Sequence, residues 1–574
     1  MAENKNCEQC SAEFIVEDAD LEFYRKMSPT FDDKVFEIST PTLCPDCRRR
    51  RRLCWANYDH IYQRKCDFSG DQMISPVAPN SPHKVYRHDI WWSDQWDPME
   101  YGRDFDFDRP FFEQLQELHL AVPKVQAYTN FNEGSPYSNC VTRAKDSYLV
   151  QSATDVENCY FGQSMSRNKD CVDVYRIWNS EKCYECVVTE KGYASQYIKD
   201  TDTCSESYFL DSCVNCKNCF ACANIRQKQY WVYNKPSTKE EFEKTRDEFL
   251  ALTGEARKAK INEIREFLKT FPKRYAHFIG TDNCSGDYVY HSKDVKNSFM
   301  IGFCENVKNS VNLEYCKDSY DHDWWGEHTE KILECDEVGD GANNVMFTQH
   351  CWECSNIVYS IEIFSGCHDI FGCVGLTHKQ YCILNKQYTK EEYEKLVARI
   401  ISHMQKTGEW GEFFPMSMSF FGYNESTAYN FHPLTRDEAR KIGANWQDED
   451  FGLKFDGPYY RPLPISEYKS QQKADELLKG VLKCEVSGRP FKIQSKELAF
   501  YIENDIQIPT VHPDERQRAR FALNNPLRLY SRECMCDESN HEHSGKCNVK
   551  FETTYAPERT EKIYCEDCYQ KEIK

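Results

Sequence analysis

No stretch of about 18 consecutive apolar residues occurs in this chain, so no helix built for a bilayer core is expected and no membrane partner is read. The opening Met1–Cys7 has neither the basic flank nor the apolar stretch of a secretory leader, which places the protein in the reducing cytoplasm. Positive charge is short: 72 Lys and Arg stand against 92 Asp and Glu, a formal charge of -20. Such a balance excludes a protein that coats nucleic acid over its whole surface, because phosphate needs a cationic field. A phosphate-binding glycine loop, a nucleophile elbow and a His-Glu-x-x-His zinc-protease motif are also missing. No catalytic residue and no organic cofactor site is assigned.

What is abundant is cysteine, 31 in 574 residues. In a reducing compartment these are not a disulfide framework; Cys-x-x-Cys pairs read as metal thiolates and lone cysteines as small buried apolar groups. Two such pairs, Cys7 with Cys10 and Cys44 with Cys47, supply the four sulfurs of a tetrahedral zinc site, each pair aiming two thiolates from one turn. A second site is expected near the C-terminus from Cys547, Cys565 and Cys568 with Cys534 or Cys536, His541 and His543 being weaker substitutes. The cofactor reading is therefore about two structural zinc ions, each able to supply on the order of 10 kcal/mol of folding free energy to a small module.

Repeats organise the rest. A period of 12 residues runs through Asp146-Ser147, Asn158-Cys159, Asp170-Cys171, Lys182-Cys183, Ala194-Ser195, Glu206-Ser207 and Asn218-Cys219. An aromatic often follows (Tyr148, Tyr160, Tyr184, Tyr208, Phe220), so each unit offers a turn residue, a small inward residue and a large inward one. That is a solenoid. Twelve residues are either one small coil or half of a coil of about 24, and the commoner β-helix size favours the half. Because Ser147, Ser195 and Ser207 share the phase of the cysteines and are poor ligands for a soft metal, the column reads as packing.

The end of this solenoid recurs 151 residues later, from Cys216, Phe220 and Cys222 through Thr238-Lys239-Glu240-Glu241 to Cys367, Phe371, Cys373 and Thr389-Lys390-Glu391-Glu392. Each copy closes on a capping box that opens a helix. The second solenoid keeps the 12-residue step at Asn297-Ser298 and Asn309-Ser310 and loses it near Asp318. The two termini are copies as well. Cys7, Phe14, Leu21, Phe23 and Tyr24 match Cys484, Phe491, Leu498, Phe500 and Tyr501, and Arg48, Arg50 and Arg52 match Arg516, Arg518 and Arg520. In the second copy the zinc positions are Cys484, Ser487, His512 and Glu515, which reads as a site that has lost its metal; in the first copy Arg87 and Ile90 stand where Cys565 and Cys568 stand in the second.

The resulting fold class is mainly β: two cysteine-rich parallel β-helix-like solenoids with helical linkers, flanked by duplicated zinc-ribbon or treble-clef modules. Its divisions are a four-cysteine zinc-ribbon module at 1–65, the metal-less second half of that module with an aromatic linker at 66–128, the first solenoid at 129–236 and a helical linker at 237–275. The second solenoid follows at 276–387, a helix and linker at 388–450, the degenerate ribbon copy at 451–533 and a C-terminal zinc module at 534–574.

Two surfaces suggest other activities. Arg48, Arg49, Arg50, Arg51 and Arg52 form a basic run that reads either as a phosphate or RNA patch or as a helix face paired with the protein's own carboxylates. Trp91, Trp92 and Trp96 with Asp89, Asp94, Asp97, Asp104, Asp106 and Asp108 could stack and cleave a sugar chain. The leading reading is a non-enzymatic scaffold whose partner is a macromolecule, protein ahead of RNA.

The Cys7-x-x-Cys10 knuckle, Asp20-Leu21-Glu22-Phe23-Tyr24 and Cys44-Pro45-Asp46-Cys47-Arg48 resemble a probable zinc-ribbon, treble-clef-like domain of bacterial proteins. With Trp91-Trp92-Ser93-Asp94, Tyr101–Phe107 and the closing Tyr564-Cys565-x-x-Cys568-Tyr569, most of the chain is similar to a family widespread in candidate-phyla-radiation bacteria. The resemblance implies zinc-bearing ends around a cysteine-rich middle, and no particular activity.

Overall fold

The computed structural model describes residues 2–324, 333–338, 346, 349–351, 355–538, 541 and 543–574. It is strand-rich. One eleven-stranded sheet runs from Thr129 to Pro236 and a ten-stranded sheet with a four-stranded companion runs from Phe278 to Gln387. Both are parallel until their last strand, which turns back as a hairpin through the left-handed pairs Tyr233-Asn234 and Leu384-Asn385.

The register corrects the expected coil size. Ser138 pairs with Val150, Gln151 with Gln163 and Gln163 with Tyr175, while bridges on other sides join Glu133 to Lys145 and Tyr148 to Tyr160. Every pairing is 12 residues apart, so one coil closes in 12 and not in about 24. Such a tight coil needs corners. Every third residue from Cys140 to Tyr233 is left-handed, with φ between 47° and 57°. Four corners per coil follow, each costing conformational strain that the ladders above and below hold in place. Asn and Asp tolerate this conformation best, and Asp146, Asn158, Asp170 and Asn218 sit at it.

The residue after each corner points inward, and with four inward residues per coil only small or slender ones fit. Cys159, Cys171, Cys183 and Cys219 alternate there with Ser147, Ser195 and Ser207, all buried. Their role is also polar. Ser147 Oγ donates to Lys145 O at 3.0 Å and accepts from Cys159 N at 3.1 Å; Cys171 Sγ approaches Lys169 O at 3.2 Å. A hydroxyl or thiol thus serves corner carbonyls, and the hydroxyls also take the next coil's N–H, which an alkyl group could not do. The aromatics overturn the other expectation. Tyr160 and Tyr184 point outward and pack on Tyr468, Phe491 and Tyr501 of the C-terminal copy, and Phe220 packs on Phe249 and Ile264 of the linker helices.

In the second solenoid the step is 12 from Gly286–Ser298 to Phe299–Val311, then 13 at Tyr320–Leu333, 13 at Leu333–Met346, 12 at Met346–Val358 and 13 at Val358–Phe371. The phase lost near Asp318 is therefore one extra residue in each of three coils. The helix after each solenoid starts where its capping box stands, Lys239–Ala251 behind Thr238 and Lys390–Thr407 behind Thr389.

The terminal modules are built alike. A hairpin, Glu3–Asn6 with Glu13–Val16, precedes helices Asp18–Met27 and Pro45–Leu53. The later copy has Leu482–Lys483 with Pro490–Phe491, then Ser495–Glu503 and Pro513–Phe521. The modules cross over: the N-terminal one packs on the second solenoid, with Phe23 stacked on Tyr320 at 3.9 Å, and the C-terminal copy packs on the first.

Candidate metal centres

A closed tetrahedral zinc–thiolate site, with Zn–S near 2.3 Å, holds its sulfurs about 3.8 Å apart. The ligand atoms of Cys7, Cys10, Cys44 and Cys47 all lie within 4.8 Å of one another, and Cys10 Sγ is 3.7 Å from Cys44 Sγ. The geometry follows from local structure. Cys7 and Cys10 flank a turn closed by Ser11 N donating to Cys7 O, with Ser11 left-handed at φ 61°. Cys44 is the N-cap of Pro45–Leu53 and Cys47 lies in its first turn, where the helix N-terminus favours negative charge. Arg50 Nη2 adds a donor to Cys47 Sγ at 3.4 Å. Without a cation the thiols share protons: contact with Cys47 pushes the Cys44 thiol down to about 5, and the same contact together with burial pushes Cys47 up.

The second group is Cys534, Cys547, Cys565 and Cys568, again within 4.8 Å, with Cys547 Sγ 4.0 Å from Cys565 Sγ. Cys565 caps Glu566–Glu572 and Cys568 sits in its first turn, repeating the placement of Cys44 and Cys47. Cys565 N donates to Cys534 Sγ at 3.2 Å. Of the two thiols left open by sequence, Cys534 completes this set; Cys536 lies outside it, its Sγ 3.0 Å from His541 Nδ1. Both groups offer four thiols and no open position, and both can hold a metal ion.

The two other knuckle positions keep a cysteine without its partners. Cys484 Sγ accepts from Ser487 N at 3.4 Å and His512 N at 3.2 Å, and Cys66 Sγ accepts from Ser69 N at 3.5 Å and Arg87 N at 3.3 Å. Burial works to raise the Cys484 thiol, but these N–H groups outweigh it and hold it below its ordinary value. His512 is turned to its own helix, its Nδ1 accepting from Asp514 N at 3.1 Å. Cys484, His512 and Glu515 do not form a metal-holding group among the described residues.

The arginine run is engaged internally. Arg48, Arg49, Arg51 and Arg52 are buried and Arg50 is half-buried. Arg48 meets Asp321, Arg52 meets Asp321 and Asp323, Arg51 meets Glu412, and Arg49 donates to Leu527 O and Asn297 O. A buried guanidinium already sharing carboxylates cannot meet phosphate unless the module undocks, which answers the RNA expectation in favour of self-pairing. The six aspartates beside the tryptophans are all exposed. Asp89 pairs with Arg87, Asp104 with Lys386, and Asp97 caps Met99 N, while Trp91 is buried against Phe364. They do not converge on a tryptophan-lined groove.

A feature that no motif announces is a cleft of about 900 Å³ between the two terminal copies, lined by Asp59, Tyr62, Glu425, Phe451, Arg489 and Asp514 among others. Burial raises the carboxyls of Asp59 and Glu425, the latter hydrogen-bonded to Tyr62 at 2.5 Å. Its walls come from segments hundreds of residues apart, which is why spacing could not reveal it. Among the described residues no helix is long and apolar enough to cross a membrane. No protein-family model matches this chain, and no curated protein matches it either.

Proposed function

We propose that this chain is a cytoplasmic, zinc-binding scaffold or macromolecule-binding protein without catalytic activity. In this reading two parallel β-helix-like solenoids are held by duplicated zinc-ribbon modules, in keeping with the resemblance to the zinc-ribbon family of candidate-phyla bacteria. The observation that carries it is the closure of both tetrathiolate groups: four sulfurs each, two of them at a helix N-terminus, leave no position for substrate or water. Zinc fits the all-thiolate donor set and its spacing.

The docking supports a role for these modules in assembly of the fold, since each sends two arginines of one helix onto a solenoid aspartate. A partner protein is proposed ahead of RNA because the basic run is already paired. The test joins metal analysis of the purified chain with capture of partners from its native cytoplasm. Zinc at two or more per chain and a reproducible protein partner support the reading; iron in place of zinc, or turnover of a polysaccharide by the purified chain, would overturn it.

A further inference from the structure

Cys568 belongs to two groups at once. Besides the tetrathiolate it lies with Cys536, His541 and His543, whose ligand atoms are all within 4.8 Å of one another. This second group rests on the stretch Asp537–Lys546, which the N-terminal copy lacks.

The two rings are set up for ligation by their other nitrogens. His543 Nδ1 bonds Gly545 O at 2.7 Å, which fixes that nitrogen as the N–H and leaves Nε2 as the acceptor; Nε2 is buried and has no hydrogen-bond partner. His541 is 6% exposed. Its Nε2 faces Glu572 Oε1 at 3.3 Å, and its Nδ1 faces Cys536 Sγ at 3.0 Å. A carboxylate behind one nitrogen and a thiol before the other is the arrangement that orients a metal-bound imidazole. A tetrahedral ion would open the thiol–imidazole edge only to about 3.5 Å, given metal–nitrogen and metal–sulfur distances near 2.0 and 2.3 Å. Cys536 is held in register because Cys547 N donates to its carbonyl at 2.9 Å, which ties the new thiol to a ligand of the neighbouring group.

We infer that the C-terminal module holds a dinuclear zinc centre: Cys534, Cys547 and Cys565 bind one ion, Cys536, His541 and His543 bind the other, and Cys568 Sγ bridges them. Five thiolates against two dications leave one net negative charge, less than the two left by a tetrathiolate alone, so the second ion also relieves repulsion among the sulfurs. The inference rests on the proposed zinc reading of the tetrathiolates and extends it.

The test is the zinc content of the full chain purified under reducing conditions, beside that of a His541→Gln, His543→Gln double variant. Three zinc ions per chain are expected, falling to two in the variant, or to one if losing the bridged partner frees its neighbour. Two ions in the parent chain, or three retained by the variant, overturn the dinuclear centre and leave both tetrathiolates standing; fewer than two in the parent overturn both. Cobalt(II) loading reads the bridge itself, because ions joined through one sulfur couple and the electron-spin-resonance intensity falls short of the bound cobalt. Full intensity contradicts the bridge.

Discussion

Arg48 Nη2 reaches both carboxylate oxygens of Asp321, at 3.0 and 2.9 Å, across 273 positions of sequence. The same contact exists at the other end of the molecule, where Arg516 Nε lies 3.1 Å and Arg520 Nη1 2.8 Å from Asp173 Oδ1. Even the accessory bonds match: Arg52 Nη2 donates to Asn309 O and Arg520 Nη2 to Phe161 O, each at 3.3 Å. Asp173 and Asp321 are both left-handed corner residues, with φ of 57° and 56°. One ancestral docking contact is thus present twice, and the chain crosses so that each terminal module holds the distant solenoid.

Breaking this contact at one end should loosen that end alone. Asp173→Ala leaves Arg516 and Arg520 buried without their main partner, a loss of about 3 to 5 kcal/mol by the usual cost of an orphaned buried charge. Native-state hydrogen exchange should show it as faster opening of helix Pro513–Phe521, and Asp321→Ala should do the same to helix Pro45–Leu53. Unchanged protection in both helices would mean that the aromatic contacts alone hold the modules.

The solenoid cysteines should behave as packing groups. Burial pushes Cys171, Cys186, Cys213 and Cys373 well above the ordinary thiol value, so they should resist alkylation in the native protein at pH 8. Cys171→Ser should cost about 1 kcal/mol or less, since serine makes the same corner bond at Ser147, Ser195 and Ser207. Its zinc content should stay that of the parent. A loss of metal in that variant would show ligand chemistry inside the solenoid.

Stability should fall with rising pH because of Glu497. This carboxyl is buried, 3.6 Å from Arg516, and burial pushes it up from the ordinary 4.5 to about 7. Below the ordinary value folded and unfolded chains both hold the proton and the contribution is intact; it is lost as pH rises through the folded value, by on the order of 3 kcal/mol. Glu497→Gln should flatten that decline in a melting series from pH 4.5 to 8. A decline as steep as the parent's would place the effect elsewhere.

Much of this architecture is legible in the sequence because repeats state themselves. The solenoid phase, the capping boxes at Thr238 and Thr389 and the duplicated ends all follow from residue spacing. Spacing does not give the coil size, since a 12-residue period fits a whole coil or half of one, and only the left-handed residue at every third position decides it. The asparagines and aspartates at those corners are the available signal. Tyr160 and Tyr184 read as core and yet point outward, because the module that covers them lies some 300 residues away, with Phe491 and Tyr501. For the same reason sequence leaves the partners of Arg48–Arg52 undecided. The choice between Cys534 and Cys536 is hidden by the inserted stretch; in space it is decided by the N–H of Cys565, which points at Cys534.

If metal folds the ends while the solenoids stand without it, hydrogen exchange on the full chain before and after zinc removal by a chelator must separate the two. Protection should be lost around Cys7–Leu53 and Cys534–Glu572, strands from Ser138 to Ala223 should keep theirs, and added zinc should restore the ends. Collapse of protection throughout the first solenoid on metal removal, or no change at either end, would contradict this division of labour.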